Sequence, residues 1–393
     1  MDRPADIICF AKDWNEPKTS NHHVMEELAK RHRVLWVNSI TTRAPNLASS
    51  NDLRKIARKI RSWFRGTKVI HDNLRVLTPV VLPFPRSRSA QAINRRLVCS
   101  MVRAAARRWR FSKPQLWIFL PNAADYVGQF GESKVVYYCV DEWSEFSHLD
   151  ARFIQQKEAE LLQKANVVFV VSQKLLATKG KFHSNIHLVP HGVDHSLFAK
   201  ALGAEFLPAE ELRMLPRPVV GFYGSLYDWV DQDLLCAIAR LRPAWSIVLV
   251  GKIMTDISPL RQHPNIHVLG PRPHGELPRY CKGFDVGIIP YRMQDRRMQS
   301  VNPLKLREYL AAGLPVVSVD LPEARGVAED ILIADTPEEF VARIEQALTR
   351  NSPARQRQRS DQMQSESWAA RVSVIESILA EAEHAPALAG GVR

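Results

Sequence analysis

No run of roughly 18 consecutive apolar residues occurs in this chain, so no membrane-crossing helix is expected. The start is equally poor in apolar residues. Its one run covers only 7–11, behind two acidic residues, and no signal peptide is expected there. Cysteine is scarce. Cys9, Cys99, Cys139, Cys236 and Cys281 are odd in number and lack metal-type spacing, so buried free thiols in a reducing cytoplasm are expected. Acid is missing from long stretches. Residues 54–68 carry Arg54, Lys55, Arg58, Lys59, Arg61, Arg65 and Lys68 without one carboxylate. Residues 86–113 add Arg86, Arg88, Arg95, Arg96, Arg103, Arg107, Arg108, Arg110 and Lys113, again without an acid.

The formal net charge of +13 therefore belongs to the N-terminal half and calls for an acidic partner. Within 54–68, Leu53, Ile56, Ala57, Ile60, Trp63 and Phe64 fall on one face of a helix edged by the cations. That pattern predicts an interfacial helix on an anionic membrane surface; a basic helix docked on its own domain is the plainer alternative. Nucleic acid would accept the same charge, but no helix-turn-helix, RNP-type or zinc pattern accompanies it. No nucleic-acid partner is expected.

What the chain does have is ample core. With 46% hydrophobic residues in 393, it should build about two domains. Strand and helix patterns alternate throughout, which predicts an α/β fold with parallel sheets. Strands are expected at 7–10, 33–38, 116–120, 134–140, 167–171 and 186–190, with helices at 20–31, about 89–110 and 151–164. The stretch 200–217 has two prolines, with a third directly after it at 218, and no strand pattern, and reads as a linker. Further strands follow at 219–223, 247–250, 266–269, 286–289 and 314–319. The expected division is an N-terminal Rossmann-like domain at 1–199, the linker, a second Rossmann-like domain at 218–384, and a disordered tail at 385–393.

The most informative segment is 302–318, reading NPLKLREYLAAGLPVVS. Asn302 is a good N-cap, Pro303 suits the first helical position, and Gly313 is a natural stop before a buried strand. Lys305 lies in the first turn, beside free backbone N–H groups, and Glu308 projects from the same face. A lysine there suits a phosphate, and a carboxylate one turn deeper suits sugar hydroxyls. A solvated ion pair is the competing reading.

This segment resembles the donor-binding helix of GT-B glycosyltransferases, in particular the retaining family 4 enzymes and their teichuronic-acid-like branch. Glu308, Gly313, Pro315, Val316 and Val317 fit the second half of the family's E-x7-E pattern and the G-x-P-V-V that follows. The first Glu of that pattern falls on Ser300, a departure. The resemblance implies two Rossmann-like domains facing across a cleft. It also implies a nucleotide diphosphate sugar donor, UDP-sugar favoured, no further cofactor and no metal.

Other segments fit that frame. Gly221-Phe-Tyr-Gly224-Ser225 is read as following the first strand of the second half, where a diphosphate could approach backbone N–H groups. The family's usual Arg and Lys after this loop are replaced by Leu226 and Tyr227, so Lys305 is the expected substitute, with Lys252 and Arg292 as weaker ones. Asp231 and Asp233 have the D-x-D form of a metal site, but at a helix start they read as caps. In the turn Gly270-Pro-Arg-Pro-His274, Arg272 either reaches the base or faces solvent. Asp141, after the strand ending Tyr137-Tyr-Cys-Val, is the candidate for activating or orienting the acceptor, with Trp14, His22 and His23 as candidate lining of the same cleft; a loop cap is the plainer reading of Asp141. His191 and Asp194 of Pro190-His-Gly-Val-Asp read as a structural turn.

The expected activity is sugar transfer, with retention, from a nucleotide diphosphate sugar to a lipid-linked or polysaccharide acceptor at the cytoplasmic membrane face. Lys305 and Asp141 are the candidate catalytic residues. Gly224, Ser225, Arg272, Lys305 and Glu308 are the candidate donor contacts. A nucleotide-sugar epimerase of the same fold and a non-catalytic nucleic-acid-binding protein are the rivals.

Overall fold

The computed structural model describes residues 5–40 and 66–384, except 83, 85, 86, 147, 148 and 329. The expected interfacial helix falls outside the described residues from 54 to 65, as does the tail 385–393. Its last cation, Lys68, is not helical; it sits in a strand, Thr67–His71. The chain forms two compact units, Met1–Val189 with Val372–Arg393, and Pro190–Arg371.

The first unit carries strands β1 (Asp6–Phe10), β2 (Arg33–Val37), β3 (Thr67–His71), β4 (Leu74–Leu77), β5 (Gln115–Ile118), β6 (Lys134–Cys139), β7 (Val167–Val170) and β8 (Ile186–Leu188). They lie in the order β3-β4-β2-β1-β5-β6-β7-β8, parallel except for the antiparallel β3–β4 pair. β1, β6 and β7 are buried along their whole length, as strands covered on both faces must be, and their apolar runs follow from that. The helices Arg88–Arg108 and Ala151–Lys164 start at Ser87 and Asp150, whose side chains accept from Ala90 N (3.3 Å) and Phe153 N (3.2 Å). Each such cap is worth about 1 kcal/mol.

The second unit carries β9 (Val219–Tyr223), β10 (Ser246–Val250), β11 (Ile266–Gly270), β12 (Val286–Ile289), β13 (Val316–Ser318) and β14 (Ile331–Ile333), all parallel, in the order β11-β10-β9-β12-β13-β14. β9 is flanked by β10 and β12, so strand order reverses at its carboxyl end. Open α/β sheets bind ligands in the crevice at such a point. β1, between β2 and β5, makes the equivalent switch in the first unit.

The division falls elsewhere than the proline-rich stretch 200–217. That stretch packs into the second unit because apolar anchors stand between its prolines. Ala209 N donates to Arg279 O (3.0 Å), and Leu212 is fully buried against Gly283, where a Cβ would lie 2.5 Å from its Cδ1. The chain also returns to the first unit at its end. Within that unit, Glu376 bonds His32 (2.8 Å) and the Leu379 carbonyl accepts from Lys134 Nζ (2.6 Å).

Candidate active site

β9 and the helix Leu304–Ala311 build the candidate donor side. Val219, Val220 and Phe222 are fully buried, each contributing about 1.5–3 kcal/mol relative to exposure, and they anchor the strand end firmly. Gly221 lies within β9, not after it; a Cβ there would meet the Phe284 ring at 2.0 Å. Gly224 follows with φ +139°, a conformation reserved for glycine, and donates to Val250 O (2.8 Å). A Cβ at Gly251 would lie 1.9 Å from Gly224 O, so two backbones touch here without side chains.

The helix begins one residue later than its sequence predicts. Pro303 occupies the N-cap, because the Asn302 side chain is engaged by the buried guanidinium of Arg307 (Oδ1 to Nη1, 2.8 Å). Arg307 also pairs with Glu366 (3.1 Å). This tie fixes the helix rotation. Gly313 ends it at φ +79°, where a Cβ would meet Leu202 Cδ2 at 2.6 Å.

Lys305 is thereby delivered to Gly224: a Cβ on the glycine would lie 3.0 Å from its Nζ. The ammonium donates to the Tyr291 hydroxyl and sits 4.8 and 5.0 Å from the Phe222 and Tyr291 ring centres. Such cation–π contacts hold a partly desolvated cation in place. Glu308, one turn deeper, is buried. Its Oε2 accepts from Tyr223 OH (2.8 Å) and its Oε1 lies 2.9 Å from His274 Nε2. Each carboxylate oxygen keeps a second lone pair for a ligand hydroxyl.

Gly224, Lys305 and Glu308 thus come together, with Ser225 next along the loop. Arg272 is committed within the protein. Its guanidinium donates to Leu269 O (2.7 Å), Tyr280 OH (2.6 Å) and Glu211 (3.0 Å). Tyr280 and Arg272 hold the Glu211 carboxyl below its usual range. Arg292 bonds Asp233 (2.9 Å), and Asp231 caps the helix Gln232–Leu241 through Leu234 N (3.1 Å). Tyr223, Tyr291 and His274 are site residues that received no role from the sequence. Their signal was position: each stands at or just after the carboxyl end of a parallel strand.

In the first unit, Asp141 follows β6 and Lys12 follows β1. Burial, reinforced by Glu142 and opposed by Lys12, pushes Asp141 up to about 7. Burial also brings Lys12 down to about 8, against the pull of Glu16 and Asp141; its Nζ donates to Pro17 O (2.5 Å). Beneath them, Lys179 joins Glu142 (2.7 Å) and the buried Glu158 (2.6 Å), which also accepts from Tyr137 OH (2.6 Å). Burial disfavours the Lys179 charge, but Glu158 and Glu142 outweigh it and raise its pKa.

His22 is a structural residue. It bonds Trp14 O (3.1 Å), packs tilted against both Trp14 and Trp36, and is lowered to about 4, first by burial and then by Lys12. His191 is likewise buried and lowered to about 3, by desolvation and then by Arg307 and Arg371. Asp194 caps the short helix His195–Phe198 through Leu197 N (3.0 Å). Among the described residues, no group of three or more His, Cys, Asp or Glu is arranged to hold a metal.

Residues 217–350 match the model of the family described as Glycosyl transferases group 1. The chain is 29% identical over 263 residues to the Bacillus subtilis (strain 168) protein named "Putative teichuronic acid biosynthesis glycosyltransferase TuaH". That match covers 60% of this chain and 64% of the relative's length. Among solved structures, sucrose-phosphate synthase from Thermosynechococcus elongatus superposes with a TM-score of 0.70 at 14% identity, covering 96% of this chain and 98% of that one. Anabaena Alr3699/HepE, solved in complex with UDP and glucose, gives 0.67 at 14% identity, covering 96% and 99%. The chain therefore carries a glycosyl transferases group 1 domain at residues 217–350 and has the GT-B fold of the glycosyltransferases.

Proposed function

We propose that this protein transfers a sugar, with retention, from a nucleotide diphosphate sugar to a lipid-linked or polysaccharide acceptor in cell-surface glycan synthesis. The observation that carries the reading is the approach of Lys305 to Gly224 at the switch point of the second sheet, with Glu308 one turn along the same helix. In this reading the diphosphate lies on the Gly224–Ser225 backbone and the first turn of the helix. Lys305 neutralises the charge that grows as the sugar leaves. Electrostatic stabilisation of this kind is usually the largest single contribution to such a transfer. Glu308, oriented by Tyr223 and His274, takes the donor's ribose hydroxyls. Arg272 anchors the turn at the base end through Glu211 and Tyr280. No metal is needed, because Lys305 and the helix terminus supply the positive charge. A UDP-sugar is the favoured donor; the Anabaena protein, which shares the fold, was solved with UDP and glucose.

The acceptor belongs to the first unit, where Asp141 orients or activates its hydroxyl. A carboxyl near pKa 7 is poised to exchange a proton at neutral pH. The acid-free stretches around 54–68 and 86–113 favour work at an anionic membrane surface, on its cytoplasmic face. The name of the Bacillus relative, with its reference to teichuronic acid biosynthesis, supports a role in glycan synthesis. A thermal-shift panel of UDP, GDP, dTDP and ADP sugars tests the donor. One class should stabilise, since ligand at about 100 times its Kd adds about 2.7 kcal/mol. No shift with any of the four contradicts the reading, and turnover of the donor without acceptor favours an epimerase instead.

A further inference from the structure

A second basic feature lies at the other end of the first sheet. The last turns of the helix Arg88–Arg108 and the segments leading into β5 and β6 enclose a cleft of about 300 Å³. Its walls include Arg103, Arg107, Lys113, Phe111, Phe130 and Gln129, with no carboxylate among the lining residues. Asp141 and Lys12 follow the carboxyl ends of β6 and β1. Phe111 and Lys113 precede β5, and Gln129 and Phe130 precede β6. The cleft is therefore separate from the acceptor residues named above.

Its shape is built in advance. Arg103 Nε donates to Gln129 O (2.8 Å), tying the helix to the β6 approach. On the other side, buried Asp6 accepts from Ser112 N (2.6 Å) and from Arg33 Nε (2.8 Å). Arg33 in turn donates to the carbonyls of Trp109 (2.9 Å) and Arg110 (3.2 Å) and stacks over Phe111 at 5.2 Å. Between these ties, Arg110 and Lys113 take φ of +54° and +44°, left-handed without being glycine. Such backbone persists only where its surroundings over-determine it.

Charge gives the cleft its chemistry. Arg103 and Arg107 are four apart on one helix face, and like charges so placed repel. Lys113 brings a third cation, and no carboxylate stands beside it or Arg107 among the residues that line the cleft. A cation in the last helical turn suits the helix dipole, which accounts for Arg107 but for neither of the others. An anion between the three relieves the repulsion. Guanidinium groups favour phosphate through paired, planar hydrogen bonds. The flanking Phe111 and Phe130 rings suit the carbon side of an ester, and the volume sits at the small end of ligand sites. We infer that this cleft binds a phosphate ester, either the headgroup phosphate of an anionic lipid or a soluble phosphate compound. The inference does not depend on the donor reading.

The test compares wild type with the double substitution Arg107→Gln and Lys113→Gln, both at exposed positions. Binding is measured by calorimetry with glycerol phosphate and inorganic phosphate, and by sedimentation with phosphatidylglycerol and phosphatidylcholine vesicles. Wild type should bind at least one anionic probe at least tenfold more tightly than the variant. The pair Arg107→Lys and Lys113→Arg, which keeps the charge, should bind nearly as wild type does. A difference with glycerol phosphate identifies a soluble ligand; a difference only with phosphatidylglycerol vesicles identifies a lipid headgroup. The 54–68 stretch is intact in every variant, so any vesicle binding it supplies cancels. Equal binding of wild type and the Gln variant to every probe, with circular dichroism showing both folded, overturns the inference.

Discussion

The Nζ of Lys305 lies against Gly224 so closely that a methyl group on the glycine would stand 3.0 Å from it. A helix residue and a strand-end residue 81 positions apart meet because Arg307 and Gly313 set the helix rotation and its end. A cation is thereby held over a backbone that has no side chain to keep a ligand away.

Substituting Gly224→Ala should therefore act on function first. The added methyl presses on the flexible end of Lys305 and meets Phe222 Cζ at an ordinary 3.5 Å, although φ +139° strains any other residue. Gly251→Ala, by contrast, meets the Gly224 carbonyl oxygen at 1.9 Å, which no side chain can relieve. Thermal melts should place Gly251→Ala well below Gly224→Ala. The reverse order contradicts this account of the loop.

Glu308→Gln keeps volume and removes the charge that accepts from Tyr223 and faces His274. A hydrogen bond to a charged group is worth roughly 1.5–3 kcal/mol, so donor affinity should drop at least about tenfold while the protein stays folded. Calorimetry with the stabilising nucleotide sugar measures this. Unchanged affinity removes Glu308 from the site.

Asp141 titrates with a definite sign. Its folded pKa near 7 lies above the ordinary 3.8, so the folded chain binds more protons than the unfolded chain between those values. Its contribution to stability is complete below about pH 4 and is lost as pH rises through about 7. His22, depressed to about 4, does the opposite, losing stability as pH falls from 6.5. Asp141→Asn should remove the decline toward neutral pH and leave the acid-side loss. Urea melts across pH 4–8 that coincide for both proteins count against a desolvated Asp141.

Asp231 is a cap, and Asp231→Ala should cost about 1 kcal/mol of stability, as cap removal does, without changing donor affinity. Activity should survive excess EDTA. Loss with EDTA that manganese restores returns Asp231 and Asp233 to a metal role.

Much of this fold was legible because both sheets are nearly all parallel. Runs such as 134–139 and 167–170 must be apolar on both faces, and they read as strands from composition alone. β3 and β4 were not legible. Lys68, Val69 and His71 of β3 are exposed, so no apolar run marks that edge hairpin. β14 is three residues long and half covered, too short for a period to register. The helix carrying Lys305 and Glu308 was read nearly to the residue, because its stop needs a left-handed glycine. Its start was misplaced by one because Asn302 is claimed by Arg307, a partner that local sequence cannot reveal. His274 and Arg272 illustrate the same limit. They are two residues apart in one turn, and only the tertiary contacts send one to Glu308 and the other to Glu211.

The most direct test of the central claim is calorimetric titration of a nucleoside diphosphate, UDP first, into wild type and Lys305→Met. The substitution removes the ammonium while keeping an unbranched side chain over Phe222 and Tyr291. If Lys305 neutralises the diphosphate above Gly224, the variant should bind UDP at least tenfold more weakly and with a shallower dependence on salt. Equal affinity and equal salt dependence in the two proteins contradict the account.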